Sequence, residues 1–96
     1  MLTGKQRSYL KSLATKLDTA VYIGKAEIND AVLREINDYL NAHELVKVKV
    51  QEGSELSAKD AANTAAEKLG AEFVQAIGRR FVLYRANKDQ IIRLPK

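Results

Sequence analysis

An α/β fold in the order α-β-α-β-α-β-β, three helices on a four-stranded mixed sheet, is predicted by three features of this 96-residue sequence. Three capped amphipathic segments recur near residues 3–17, 29–43 and 57–70. A strict period-two run, Leu45 to Val50, separates the second from the third. Two further apolar runs are joined by Gly78-Arg79, a two-residue link of the kind that closes β-hairpins.

The first helix opens on Thr3 with Gln6 three residues later, a capping-box pattern. Its apolar stripe is Tyr9, Leu10, Leu13, Ala14 and Leu17, and Lys5, Arg7, Lys11 and Lys16 occupy other positions around it. Asp18-Thr19 ends the helix, and Ala20-Val21-Tyr22-Ile23 reads as a short buried strand. After a loop at 24–28, Asn29 is the N-cap of a second helix, with Asp30 favoured in its first turn by the helix dipole. The stripe Val32, Leu33, Ile36, Tyr39 and Leu40 carries that helix to about His43. Val46, Val48 and Val50 then share one face of a strand, with Lys47 and Lys49 on the other.

Residues 51–56 form a polar loop, and Ser57 caps a third helix with Ala61, Ala65, Ala66 and Leu69 inward and Gly70 as its stop. Strands at Ala71–Ile77 and Arg80–Tyr84 complete the order, with a type II′ turn expected at Gly78-Arg79. An unbroken hairpin register sets Glu72 opposite Arg85, Phe73 opposite Tyr84 and Val74 opposite Leu83. Phe73 and Phe81 then point to opposite faces, which assigns them to core packing rather than to a joint base-stacking platform. Two β-α-β crossovers make the first three strands parallel if they are neighbours, and the last returns antiparallel. Residues 87–96 are expected to be an extended tail.

The length fits one domain, 1–96. No apolar run is long enough to cross a bilayer, and the polar, basic first sixteen residues lack the core of a signal peptide. With no cysteine for disulfides or thiolate chemistry, a cytoplasmic location is expected. Catalysis has little to build on. His43 is the single histidine, and no metal-spaced cluster, nucleophile elbow or P-loop is present, so no cofactor is implied.

Charge is segregated along the chain. Residues 1–25 hold five Lys/Arg against Asp18 alone; residues 26–76 hold five against ten acids; residues 77–96 hold six against Asp89 alone. If the two basic ends fold onto one face, that face attracts phosphate well beyond what a net charge of +4 suggests. Candidate contacts are Lys5 and Lys11 on the first helix, Arg79 and Arg80 at the hairpin tip, and Gly24 and Lys25 in the loop entering the second helix. Arginines grip phosphate in a bidentate way, and a glycine beside a helix N-terminus lets an anion approach backbone N–H groups.

Four collinear segments, LTGKQRSYLKSLA (2–14), VYIGKAEINDAVLREI (21–36), HELVKVKV (43–50) and VQAIGRRFVLYR (74–85), together resemble the YhbY-like family, as does the closing IIRLPK. That family consists of single CRM (chloroplast RNA splicing and ribosome maturation) domains. The resemblance implies the same element order, similar to the C-terminal domain of translation initiation factor 3. It also implies a monomeric RNA-binding protein associated with ribosomal RNA in precursors of the large ribosomal subunit; plant organelle relatives act in group II intron splicing. The family's GxxG loop falls on Gly24-Lys25-Ala26-Glu27, where Glu27 replaces the second glycine and adds a negative charge. The flanking basic elements are therefore expected to carry more of the affinity. The other readings are a protein-interaction module docking through the acidic middle helices without RNA contact, and an RNA-modifying or RNA-cleaving enzyme.

Overall fold

The capping signals become helix boundaries in the computed structural model, which describes residues 2–24, 28–52, 57–88 and 90–95. Helix α1 spans Gly4–Ala14 behind a complete Thr3/Gln6 capping box. Helix α2, Asp30–His43, is capped by Asn29 accepting from the Val32 N–H, and α3, Ala58–Leu69, by Ser57 accepting from the Asp60 N–H. Gly70 closes α3 at φ 64, a left-handed cap that glycine adopts without a Cβ clash. The strands are β1 (Val21–Ile23), β2 (Leu45–Val50), β3 (Glu72–Ile77) and β4 (Arg80–Tyr84). Gly78 has φ 61, as a type II′ turn requires of its first central residue. Among the described residues, no helix is long and apolar enough to cross a membrane.

The sheet order is β1-β2-β4-β3. β1 and β2 pair in parallel, and β4 inserts antiparallel between β2 and β3. The first three strands do share one direction, but only β1 and β2 are neighbours: β3 runs the same way as β2 without pairing with it. The hairpin partner occupies the place beside β2, leaving β3 as a free edge.

Hairpin register also departs from the expectation. Ile77↔Arg80, Ala76↔Phe81 and Gln75↔Val82 keep it, and a bulge at Val74 then shifts it by one, to Phe73↔Leu83 and Glu72↔Tyr84. Two residues, Val74 and Gln75, thus oppose one. The bulge lets β3 feed two apolar layers. Phe73 joins Phe81 and Leu83 beneath α2 and α3, while Val74 joins Val82, Tyr84 and Leu45 beneath α1. Phe73 and Phe81 therefore share a face, contrary to the unbroken register, and that face is covered by helices. Core packing remains their assignment, for this different reason.

The larger layer contains Val21, Ile23, Val46, Val48, Val50, Ile36, Leu40 and the alanines of α3. The second contains Leu10 and Ala14 of α1, with Ile92 and Leu94 of the tail packed against it. The tail is irregular but not detached. Gln6 donates from Nε2 to the Pro95 carbonyl at 3.1 Å. The tail residues Ile92 to Pro95 and the first turn of α1 therefore lie on the same side of the sheet.

Two charged residues, Glu44 and the half-buried Arg85, are tied to the fold by hydrogen bonds. Glu44, fully buried, ends α2 in the left-handed region at φ 68, and its carboxylate accepts the N–H groups of Asn87 at 2.7 Å and Ile92 at 2.6 Å. It thereby fixes the tail. Arg85 does not face Glu72. It donates to the Leu69 carbonyl (2.8 Å) and the Asn41 side chain (2.8 Å), tying the C-terminal ends of α3 and α2 together.

Burial pushes the Tyr84 phenol above its usual value of 10.0, and the Glu44 carboxylate adds to the shift. Above about pH 10 the unfolded chain has released this proton while the folded protein still holds it. Stability is therefore expected to fall as pH rises through the folded value. Tyr84→Phe should flatten that slope in urea titrations compared near pH 8 and pH 11; a slope equal to the parent's would show that Tyr84 does not carry it.

Candidate nucleic-acid interface

α1 covers only one end of its side of the sheet, over Leu45, Val74, Val82 and Tyr84. At the other end the register sets four residues in a row, one per strand: Tyr22, Lys49, Arg80 and Ile77. Tyr22 is 54% exposed and Ile77 69%. The row crosses three inter-strand spacings, about 14 Å. It lies on the face opposite Val21, Val48 and Phe81, whose burial locks the register and therefore fixes which way the row points.

Cations extend the row in both directions. On one side Arg79 closes a hollow with Tyr22, Lys49, Gln51 and Glu52. In the middle Arg80 shares a second hollow with Thr15, Lys47, Gln75 and Ile77. On the other side a groove follows the free edge of β3, lined by Arg7, Lys11 and Lys59 together with residues 73–77. Gln75 and Ile77 border both of the last two, so the surface is continuous from α1 to the hairpin.

Several head groups are aimed by short contacts to the chain. Arg7 Nε donates to the Phe73 carbonyl at 3.3 Å, Lys47 Nζ to the Leu17 carbonyl at 3.0 Å, and Arg80 Nε to Thr19 Oγ1 at 3.4 Å. A guanidinium has five N–H donors, so an arginine anchored through Nε retains its Nη groups for an outside acceptor. The surface is suited to binding polyanions.

Of the residues singled out from sequence, Arg79, Arg80 and Lys11 line this surface. Lys5 is exposed on the first turn of α1 and is not among the residues lining the groove with Lys11. Gly24 follows β1 directly, beside the Tyr22 end of the row. A Cβ there would meet only Gln51 Oε1, at 3.9 Å, so the fold itself makes no demand for glycine. Lys25, with Ala26 and Glu27, lies outside the described residues.

Sequence reasoning passed over Tyr22 and Lys59. The sequence places Tyr22 in a short buried strand, yet β1 alternates buried, exposed, buried. Its parallel pairing with the alternating Lys47 and Lys49 run carries the signal that could have found it. Lys59 is visible as a cation in the first turn of α3, but its position beside the β3 edge is a matter of tertiary packing.

The model of the CRS1 / YhbY (CRM) domain matches residues 2–85. "Probable RNA-binding protein YqeI" of Bacillus subtilis (strain 168) is 38% identical over 96 residues, covering 99% of this chain and all of that protein. A protein of Haemophilus influenzae named "RNA-binding protein" is 38% identical over 95 residues, covering 99% and 96%. The solution structure of SAV1595 from Staphylococcus aureus superposes with a TM-score of 0.75 at 40% identity, covering 99% of this chain and 100% of that one.

Proposed function

The chain belongs to the CRS1 / YhbY (CRM) domain family, and from that premise we propose that it is a cytoplasmic RNA-binding protein that associates with precursors of the large ribosomal subunit. The observation that carries this reading is the continuous basic surface from Arg7 and Lys11, along the β3 edge, to Arg80, Lys49 and Arg79. The names of the relatives support RNA as the polyanion.

Recognition is through the phosphate backbone. Arginine forks and lysine head groups on α1, β2 and the hairpin contact phosphates, and the rigid sheet holds them at fixed spacings so that RNA shape decides the fit. Gly24 leaves room for a phosphate to approach the backbone at the end of β1.

With about five phosphate contacts, affinity for a structured ribosomal RNA fragment should fall roughly 100- to 500-fold between about 50 and 200 mM salt. An affinity unchanged over that range would overturn backbone recognition. Crosslinking in cells, followed by sequencing of the attached RNA, should recover a defined region of large-subunit RNA. Retention on assembled particles after the exposed RNA is digested, with no affinity for isolated RNA, would instead place the contact on a ribosomal protein.

A further inference from the structure

We infer that Tyr22 is a stacking platform for one unpaired base, so that the RNA held on this surface includes a single-stranded nucleotide. The inference rests on the RNA-binding reading above and specifies the kind of RNA the site takes. β1 is a three-residue strand whose other members, Val21 and Ile23, are 1% and 0% exposed, whereas Tyr22 is 54% exposed. A lone exposed aromatic is ordinary. Here the surroundings select a ligand.

Tyr22 pairs in register with Lys49, and the two share a hollow of about 390 Å³ with Arg79, Gln51 and Glu52. That volume is within the roughly 300–1,000 Å³ of sites that hold small ligands. Its lining matches the parts of a nucleotide: an aromatic face for the base, two cations for the phosphates, and the carboxylate and amide of Glu52 and Gln51 for N–H donors on the base edge. Arg80, next in the row, continues the path of phosphate contacts. A paired helix cannot use the ring, because its bases are already stacked on one another and only its backbone and groove edges are presented. Stacking on an exposed aromatic therefore distinguishes an unpaired nucleotide from a duplex.

The experiment titrates the full chain with two fluorescein-labelled probes of equal length, a single-stranded oligouridylate and a fully paired RNA duplex, at fixed low salt. Tyr22→Val keeps a strand-favouring residue and Tyr22→Phe keeps the ring; circular dichroism and urea midpoints confirm that both fold. Tyr22→Val should weaken oligouridylate binding about 5- to 150-fold, the range for loss of one base–aromatic stack. Tyr22→Phe should stay within about twofold of the parent. Duplex binding should be the same for all three, and the dependence of affinity on salt should not change, since no charge is removed. Equal single-strand affinities for parent and Tyr22→Val would overturn the stacking platform while leaving RNA binding standing. Failure of the folded parent to bind either probe would overturn RNA binding, and the platform with it.

Discussion

Replacing Glu44 by alanine is expected to lower the unfolding free energy by about 2–6 kcal/mol. The side chain is fully buried, and its two carboxylate oxygens take the N–H groups of Asn87 and Ile92. Each such donor left without an acceptor costs about 1–3 kcal/mol. Alanine also inherits the left-handed backbone at φ 68 without the bonds that hold it there. For a domain of this size the melting temperature should fall by about 4–8 °C per kcal/mol.

The lower end of the range applies if residues 90–95 peel away and water takes over the two amides. Faster tryptic cleavage at Lys88 and Arg93 would identify that route. Glu44→Gln, which keeps one acceptor oxygen, should lose about half as much. A urea midpoint for Glu44→Ala equal to the parent's would show that the carboxylate does not hold the tail.

The largest effect on binding is expected from reversing two adjacent charges of the row, Lys49→Glu with Arg80→Glu. These residues pair directly across β2 and β4. The change removes two cations from the proposed RNA path and sets two carboxylates against phosphates. Juxtaposed like charges cost several kcal/mol, so affinity for a structured ribosomal RNA fragment should drop about 100-fold or more at low salt. The salt dependence should become shallower as well. Lys49→Ala with Arg80→Ala removes the attraction without the repulsion and should lose about 10-fold. Neither change touches a buried apolar layer, so urea midpoints should stay close to the parent's. Anisotropy titrations within threefold of the parent for the reversed pair would exclude this face from the contact.

What the sequence made legible was local. Thr3 with Gln6, Asn29, Ser57 and Gly70 mark helix ends because a cap is decided within three or four residues, and each is found where expected. Leu45–Val50 announces its own alternation. The bulge at Val74 was not legible, because it answers a demand from two helical layers on opposite sides of the sheet. Glu44 reads as an ordinary acid at a helix end until the amides of residues more than forty positions later are brought to it. Arg85 counts in the sequence as one more cation of a basic block, and only the packing of α2 against α3 shows that it is spent on carbonyls.

The candidate surface divides along the same line. Arg79, Arg80 and Lys11 could be named from the clustering of charge. The alignment of Tyr22 with Lys49 and Arg80 depends on which strand lies beside which.

The bulge in β3 also sets where this chain can shorten. Losing one residue within a strand normally turns every side chain beyond it to the wrong face. Position 74 is different, because Phe73↔Leu83 and Gln75↔Val82 are already consecutive rungs on either side of it. A chain missing Val74 would give up one buried valine from the α1 layer and keep Phe73, Ala76 and Ile77 facing as they do now. A one-codon deletion there would leave the facing of the rest of the hairpin intact, so this is the position in β3 at which length variation among related sequences is structurally neutral for the row that Ile77 completes.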